Sequence, residues 1–209
     1  MFCSATPLNN YYIVIVTLLL SVANLSSLIE LRWHGRGGQG VVSANMLLAN
    51  ALILEGKYVQ AFPEFGPERS GAPVKGFLRV SDGPIDLHQQ IYEPDIILCI
   101  DPALSNSPMI VDGLKPNGCV IVNSTKEKKE VKKFLGIAES TRLYVLDAVH
   151  IAQEIFGRPF YNTPMMGALS KITELVQMES LKKAMGNRFT DAMLEKNIKA
   201  LERGYEEVK

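Results

Sequence analysis

The stretch Arg32-Trp33-His34-Gly35-Arg36-Gly37-Gly38-Gln39-Gly40-Val41-Val42 constrains this chain more than any other segment. It sets four glycines in six positions, between an apolar run that reads as a strand and an apolar run that reads as a helix. Gly35, Gly37 and Gly40 satisfy G-x-G-x-x-G. Glycine permits φ > 0 and lets a ligand approach the backbone. A strand-to-helix junction of this composition brings bare N–H groups and a helix N-terminus to one point, which suits an anion such as a phosphate. Arg36 adds a bidentate phosphate donor. The competing reading is a tight turn that only packs the helix on the sheet.

Around this junction, apolar segments alternate in type. Leu28–Trp33 is predicted as a first strand and Val41–Leu54 as a helix, with Ala44, Leu47, Leu48, Ala51 and Leu52 on one face. Gly56 is its stop signal. Tyr58–Phe62 and Val74–Val80 read as strands, the latter closed by Ser81-Asp82-Gly83. Between them Pro63 to Pro73 holds three prolines and two glycines and reads as a long, functional loop. Asp95–Ile100 and Cys119–Val122 are continuous apolar runs, as expected of strands buried on both faces. Lys126–Lys133 is a solvated helix face. Leu143–Leu146 is a further strand. Ala148–Phe156, Met165–Met178 and the tail from Asp191 read as helices, the last with Leu194, Ile198 and Leu201 on one face.

Strand–helix alternation without an internal repeat predicts one α/β domain, a three-layer α/β/α arrangement on a mostly parallel or mixed sheet. In such sheets ligands bind beyond the carboxyl ends of strands. The glycine loop, the Pro63–Pro73 loop, Asp101 and Asp147 all follow strands and are expected on one edge.

Composition narrows the functional classes. Lys plus Arg total 22 and Asp plus Glu total 22, so no net field favours nucleic acid or a membrane surface. Cys3, Cys99 and Cys119 form no C-x-x-C pair, which argues against an iron–sulfur cluster held by this chain alone. Cys99 and Cys119 read as buried small hydrophobes, consistent with a reducing, cytoplasmic compartment. No metal site and no catalytic residue is expected here.

Residues 1–27 stand apart. Tyr11–Ala23 is apolar and uncharged, shorter than the about 17–25 residues of a spanning helix. Ser21-Val22-Ala23 would pass as a cleavage site, yet no Lys or Arg precedes Arg32. A poor signal peptide and a short membrane-associating helix are the alternatives to the expectation favoured here. In that expectation residues 1–27 are not part of the native protein, and the domain, residues 28–209, starts at Leu28 through an alternative initiation codon.

Several side chains have two readings. A nicotinamide dehydrogenase should carry an acidic residue at the end of its second strand. Gln60, Ala61 and Phe62 occupy that region, with Glu64 inside the proline-bounded loop. His34 reads first as a structural hydrogen-bonding residue, with polarising a substrate or binding phosphate as the alternative. Asp101 and Asp147 read as caps, Asn162-Thr163 as a helix start, and Trp33 as a core or subunit-contact residue.

Taken together, Arg32–Gly40, Phe62–Val74, Asp95–Asp101 and Asn162-Thr163-Pro164-Met165-Met166-Gly167-Ala168 resemble the gamma subunit of the 2-oxoacid:ferredoxin oxidoreductases, of the pyruvate and 2-ketoisovalerate type. The resemblance runs from Leu28 to the C-terminus. Ser70 stands where relatives commonly carry a basic residue. The resemblance implies oxidative decarboxylation of a 2-oxoacid, pyruvate being favoured, with acyl transfer to coenzyme A and electrons passing to ferredoxin. Thiamine diphosphate, Mg and iron–sulfur clusters are then expected in the complex, mainly on alpha, beta and delta partner subunits of a heterotetramer. This chain would be inactive alone. Its expected share is coenzyme A handling and assembly, through Gly35, Arg36, Gly37, Gly38, Gln39, Gly40, Glu68 and Arg69. An autonomous NAD(P)-binding domain and a structural adaptor that binds no ligand are the alternatives.

Overall fold

The computed structural model describes residues 28–64 and 71–209. Among these, six strands form one sheet in the order β2-β3-β1-β4-β5-β6. The strands are β1 (Ile29–Arg36), β2 (Tyr58–Glu64), β3 (Pro73–Ser81), β4 (Ile96–Cys99), β5 (Cys119–Asn123) and β6 (Arg142–Leu146). The helices are α1 (Val41–Leu54), α2 (Lys128–Leu135), α3 (Ala148–Phe156), α4 (Asn162–Thr173), α5 (Met178–Gly186) and α6 (Asp191–Glu207). β1, β4, β5 and β6 run parallel. β3 is antiparallel to both β1 and β2. The sheet is therefore mixed, and the α/β expectation holds.

Pleat alternation assigns the layers. Leu31 and Trp33 of β1, Leu78 and Val80 of β3, Ile96 and Leu98 of β4 and Ile121 of β5 share one core with α1, α3, α4, α5 and α6. On the opposite face Ile97, Cys99, Val120, Val122, Leu143 and Val145 pack against Val131 and Leu135 of α2 and against Ile110. Ile110 belongs to a pair of 3-10 turns, Leu104–Asn106 and Pro108–Val111, that the sequence pattern did not predict. Cys99 and Cys119 are buried as expected, and burial pushes their thiols up to about 12 and about 11.

Several boundaries differ from expectation, among them the end of β1, which runs past Trp33 to Arg36 and takes in Gly35. The Pro63–Pro73 loop is shorter, because β2 continues through Pro63 to Glu64 and β3 begins at Pro73. Proline is admitted because β2 is the edge strand, where a missing N–H need break no ladder bond. The helix predicted over 165–178 starts earlier and ends sooner, as α4, and α5 was not predicted. Glu174 takes φ 52° and ends α4, while the Ser170 hydroxyl donates to the Val176 carbonyl at 2.8 Å. The chain then restarts as α5.

α4 and α6 cross at very short range. A Cβ on Gly167 would lie 2.0 Å from the Leu201 carbonyl oxygen, and one on Gly204 would lie 1.9 Å from that of Pro164. At the same crossing the buried Thr163 hydroxyl donates to Asn197 Oδ1 at 2.8 Å. Among the described residues no helix is long and apolar enough to cross a membrane. The expectations for residues 1–27, Tyr11–Ala23 included, lie outside the described residues.

Candidate functional site

The parallel strands β1, β4, β5 and β6 all end on one edge, where β2 also ends and β3 begins. Chain order reverses between β1 and β4, since β2 and β3 lie to one side of β1 and β4, β5 and β6 to the other. The crevice beyond the carboxyl ends at such a switch point is where open α/β sheets bind ligands. The glycine loop follows β1 and Asp101 follows β4, so both reach this crevice.

The loop is held from three sides. The Arg36 N–H donates to Gln39 Oε1 at 2.8 Å, and the Gln39 N–H to the Arg36 carbonyl at 3.1 Å. The Gly37 N–H donates to the Ala72 carbonyl at 3.0 Å, tying the loop to the entry of β3. The Gln39 carboxamide donates to Asp101 Oδ2 at 2.6 Å. Asp101 also accepts from the Leu104 N–H on Oδ1 at 2.8 Å. It is thus the expected cap and, beyond that, the anchor of the glycine loop.

The expected site residues divide by position. Gly35 is buried inside β1, where a Cβ would meet Val41 Cγ2 at 2.6 Å and Ile100 Cγ1 at 2.8 Å. Its visible role is to seat α1 on the sheet. Gly37 and Gly38 are exposed at the tip. Gly40 takes φ 81° and is the N-cap of α1. Arg36 is engaged: Nε lies 3.4 Å from Asp101 Oδ2, and Nη1 donates to the Gly71 carbonyl at 3.1 Å. Its side chain remains 38% exposed, and Nη2 makes no hydrogen bond among the described residues. Glu68 and Arg69 lie outside the described residues.

No side chain caps α1, and no acidic residue occupies its first turn. The same is true of α4. The two N-termini meet, because the Asn162 carboxamide nitrogen sits 2.9 Å from where a Gly40 Cβ would be. Each end leaves N–H groups without intrahelical partners and the positive end of a dipole. α3, by contrast, is closed: Asp147 Oδ1 accepts from the His150 N–H at 2.9 Å, and Asn123 Oδ1 from the Ala148 N–H at 3.1 Å. Asn162 was legible only as a helix start. Its approach to the glycine loop joins elements more than a hundred residues apart and leaves no local signal.

The topology bears on the nicotinamide reading. A dinucleotide-binding unit runs its second strand parallel to and beside the first. Here β2 is separated from β1 by the antiparallel β3. Gln60 is tied to the Ile85 carbonyl and Arg79, and Glu64 pairs with Lys75 at 3.3 Å. Trp33 is a core residue. Among the described residues no group of three His, Cys, Asp or Glu side chains is placed to hold a metal.

His34 faces away from Trp33 and accepts from Arg32 Nε at 3.0 Å, the structural hydrogen bond expected. Burial, aided by the positive charges of Arg32 and Lys75, pushes its imidazole down to about 3. An unfolded histidine takes up its proton near pH 6.5, whereas the folded one waits until about 3. The stability held by neutral His34 is therefore fully present above pH 6.5 and lost as pH falls towards 3. The slope should approach about 1.4 kcal/mol per pH unit. Urea unfolding stepped from about pH 7 to about pH 4 reads it directly. His34→Gln, which keeps an acceptor for Arg32, should flatten the dependence; an unchanged slope would assign the titration to other groups.

Residues 30–207 match the family described as pyruvate ferredoxin/flavodoxin oxidoreductase. The pyruvate/ketoisovalerate oxidoreductases common subunit gamma of Thermococcus kodakarensis is 49% identical over 178 residues, covering 85% of this chain and 96% of that protein. The gamma subunit of NADH-dependent phenylglyoxylate dehydrogenase from Aromatoleum evansii is also 49% identical, over 180 residues, 86% of this chain and 93% of that one. The crystal structure of pyruvate oxidoreductase subunit PORC from Thermotoga maritima superposes with a TM-score of 0.79 at 42% identity, covering 87% of this chain and 97% of its own.

Proposed function

We propose a role for this chain from one premise: it belongs to the pyruvate ferredoxin/flavodoxin oxidoreductase family, as the gamma subunit of a multisubunit 2-oxoacid oxidoreductase. Its contribution to that enzyme is to hold coenzyme A by its phosphates at the glycine loop. The observation that carries this is the meeting of two uncapped helix N-termini, those of α1 and α4, beside Arg36 at the switch point of the sheet. Phosphate oxygens there would accept from the first-turn N–H groups and from Arg36 Nη2. Coenzyme A supplies a thiol that accepts the acyl group. The chain's own part is to bind and orient it, not to make or break bonds.

Oxidation and decarboxylation belong to partner subunits on this reading. Cys99 and Cys119 are buried strand residues, and the described residues offer no ligand set for a cluster. Pyruvate is the 2-oxoacid we propose, with ferredoxin as electron acceptor. The choice of acid is made outside this chain. Relatives of equal identity carry names for pyruvate and ketoisovalerate in one case and phenylglyoxylate in the other, and the first is a subunit common to two activities.

In the assembled complex, Arg36→Ala should raise the KM for coenzyme A about fivefold to tenfold and leave kcat near wild type. One charge-assisted hydrogen bond at a half-exposed site is worth about 1 kcal/mol or slightly more. One observation favours a second reading, a purely structural loop: Arg36 already binds Asp101 and Gly71. That reading has Arg36→Ala weaken assembly at unchanged KM, so the same measurement separates the two.

A further inference from the structure

The face of β1 turned away from α1 carries a buried cation that no carboxylate answers directly. Arg32 is 6% exposed. Its partners are neutral: Nε donates to His34 Nε2 at 3.0 Å, and Nη2 donates to the carbonyls of Ile110 and Asp112. Nη1 makes no hydrogen bond among the described residues. Because His34 Nε2 accepts, the ring proton sits on Nδ1, and that N–H also has no partner among the described residues. Burying a charge without a counter-ion in contact is costly. Burial accordingly lowers the Arg32 guanidinium from its usual value, Asp112 and Glu64 opposing from a distance.

Both residues line a cavity of about 290 Å³. Lys75 and Ser107 add donors to its wall, and Val74 and Met109 give it an apolar side. Glu64 and Asp112 also reach it; Glu64 Oε2 is ion-paired with Lys75 at 3.3 Å without a hydrogen bond, and the Asp112 carbonyl faces Arg32. We propose that this cavity is an anion site separate from the glycine loop, taking a carboxylate or phosphate group on Arg32 Nη1 and His34 Nδ1. The uncharged remainder of the ligand lies against Val74 and Met109. Its volume admits a small organic acid or a phosphorylated fragment, not a whole dinucleotide. The proposal does not depend on coenzyme A binding at the glycine loop.

Calorimetric titration of the full chain with pyruvate and, separately, with inorganic phosphate tests it. Binding of pyruvate alone assigns the site to carboxylates, and binding of phosphate alone to phosphates. Arg32→Met should abolish pyruvate binding and whatever phosphate binding Arg36→Ala leaves. Should that variant fail to fold, Lys75→Met, at a side chain 46% exposed, should weaken binding about fivefold. Arg36→Ala should leave pyruvate binding unchanged; phosphate binding that it removes belongs to the glycine loop. The proposal is overturned if neither anion binds wild type. It is equally overturned if Arg36→Ala removes binding while Lys75→Met does not, an outcome that would place the anion at the glycine loop.

Discussion

Gly204→Ala is expected to lower the stability of this chain by about 3 kcal/mol or more, and the thermal midpoint by about 10 °C. The added Cβ would stand 1.9 Å from the Pro164 carbonyl oxygen and 2.6 Å from its carbon. Both are backbone atoms of α4, and no rotamer change moves them. α6 would have to slide away, breaking the Thr163–Asn197 hydrogen bond and exposing Leu201 and Ala200. Small domains have only about 5–15 kcal/mol in total, so the loss is a large fraction. Gly186→Ala is the control: nothing lies within 4 Å of its Cβ position, and the change should be neutral or slightly stabilising. Thermal and urea unfolding of the pair decide the matter. Equal midpoints for Gly204→Ala and wild type would contradict the close crossing.

The second large effect is at Asp101. Asp101→Ala removes one carboxylate from Gln39 Nε2, from the Leu104 N–H and from Arg36 Nε. Arg36 loses its counter-ion and two donors lose their acceptor, at a combined cost of about 2–4 kcal/mol. The loop that presents Gly37, Gly38 and Gly40 then loses its anchor to β4. In the assembled enzyme the KM for coenzyme A should rise about tenfold or more, beyond the effect of Arg36→Ala. Asp101→Asn keeps an acceptor for Leu104 but not the charge, and should fall between. A destabilised Asp101→Ala enzyme with wild-type KM would reduce the carboxylate to a turn cap and remove support for the glycine-loop site.

These two positions differ in how far they could be read in advance. Asp101 follows an apolar run and precedes Pro102, so capping was legible from local pattern. Its contacts with Arg36 and Gln39 were not, because they span about sixty residues and exist only once β1 and β4 are neighbours. Gly204 sits inside a helical pattern where a glycine reads merely as a propensity penalty. Its purpose comes from α4, which the periodicity alone carried past its end at Thr173. The break at Glu174 rests on hydroxyl-to-backbone bonds by Ser170 and Thr173, chemistry that competes with the helix without altering the apolar spacing.

Local physics in the sequence determined the elements themselves: period-2 and continuous apolar runs made strands, 3.6-residue spacing made helices, and glycine-rich or proline-rich stretches made the connections. The long motifs also carried the family, since chance agreement over such glycine- and proline-rich strings is negligible. Tertiary structure alone decided which ends meet. It inserted the antiparallel β3 beside β1, which removed the dinucleotide-binding arrangement. It brought the uncapped starts of α1 and α4 together at Gly40 and Asn162, and turned Arg36 onto Asp101. The reason is physical: strand and helix propensities act over a few residues, whereas pairing order and helix crossing are set by burial of whole faces, which the linear pattern does not encode.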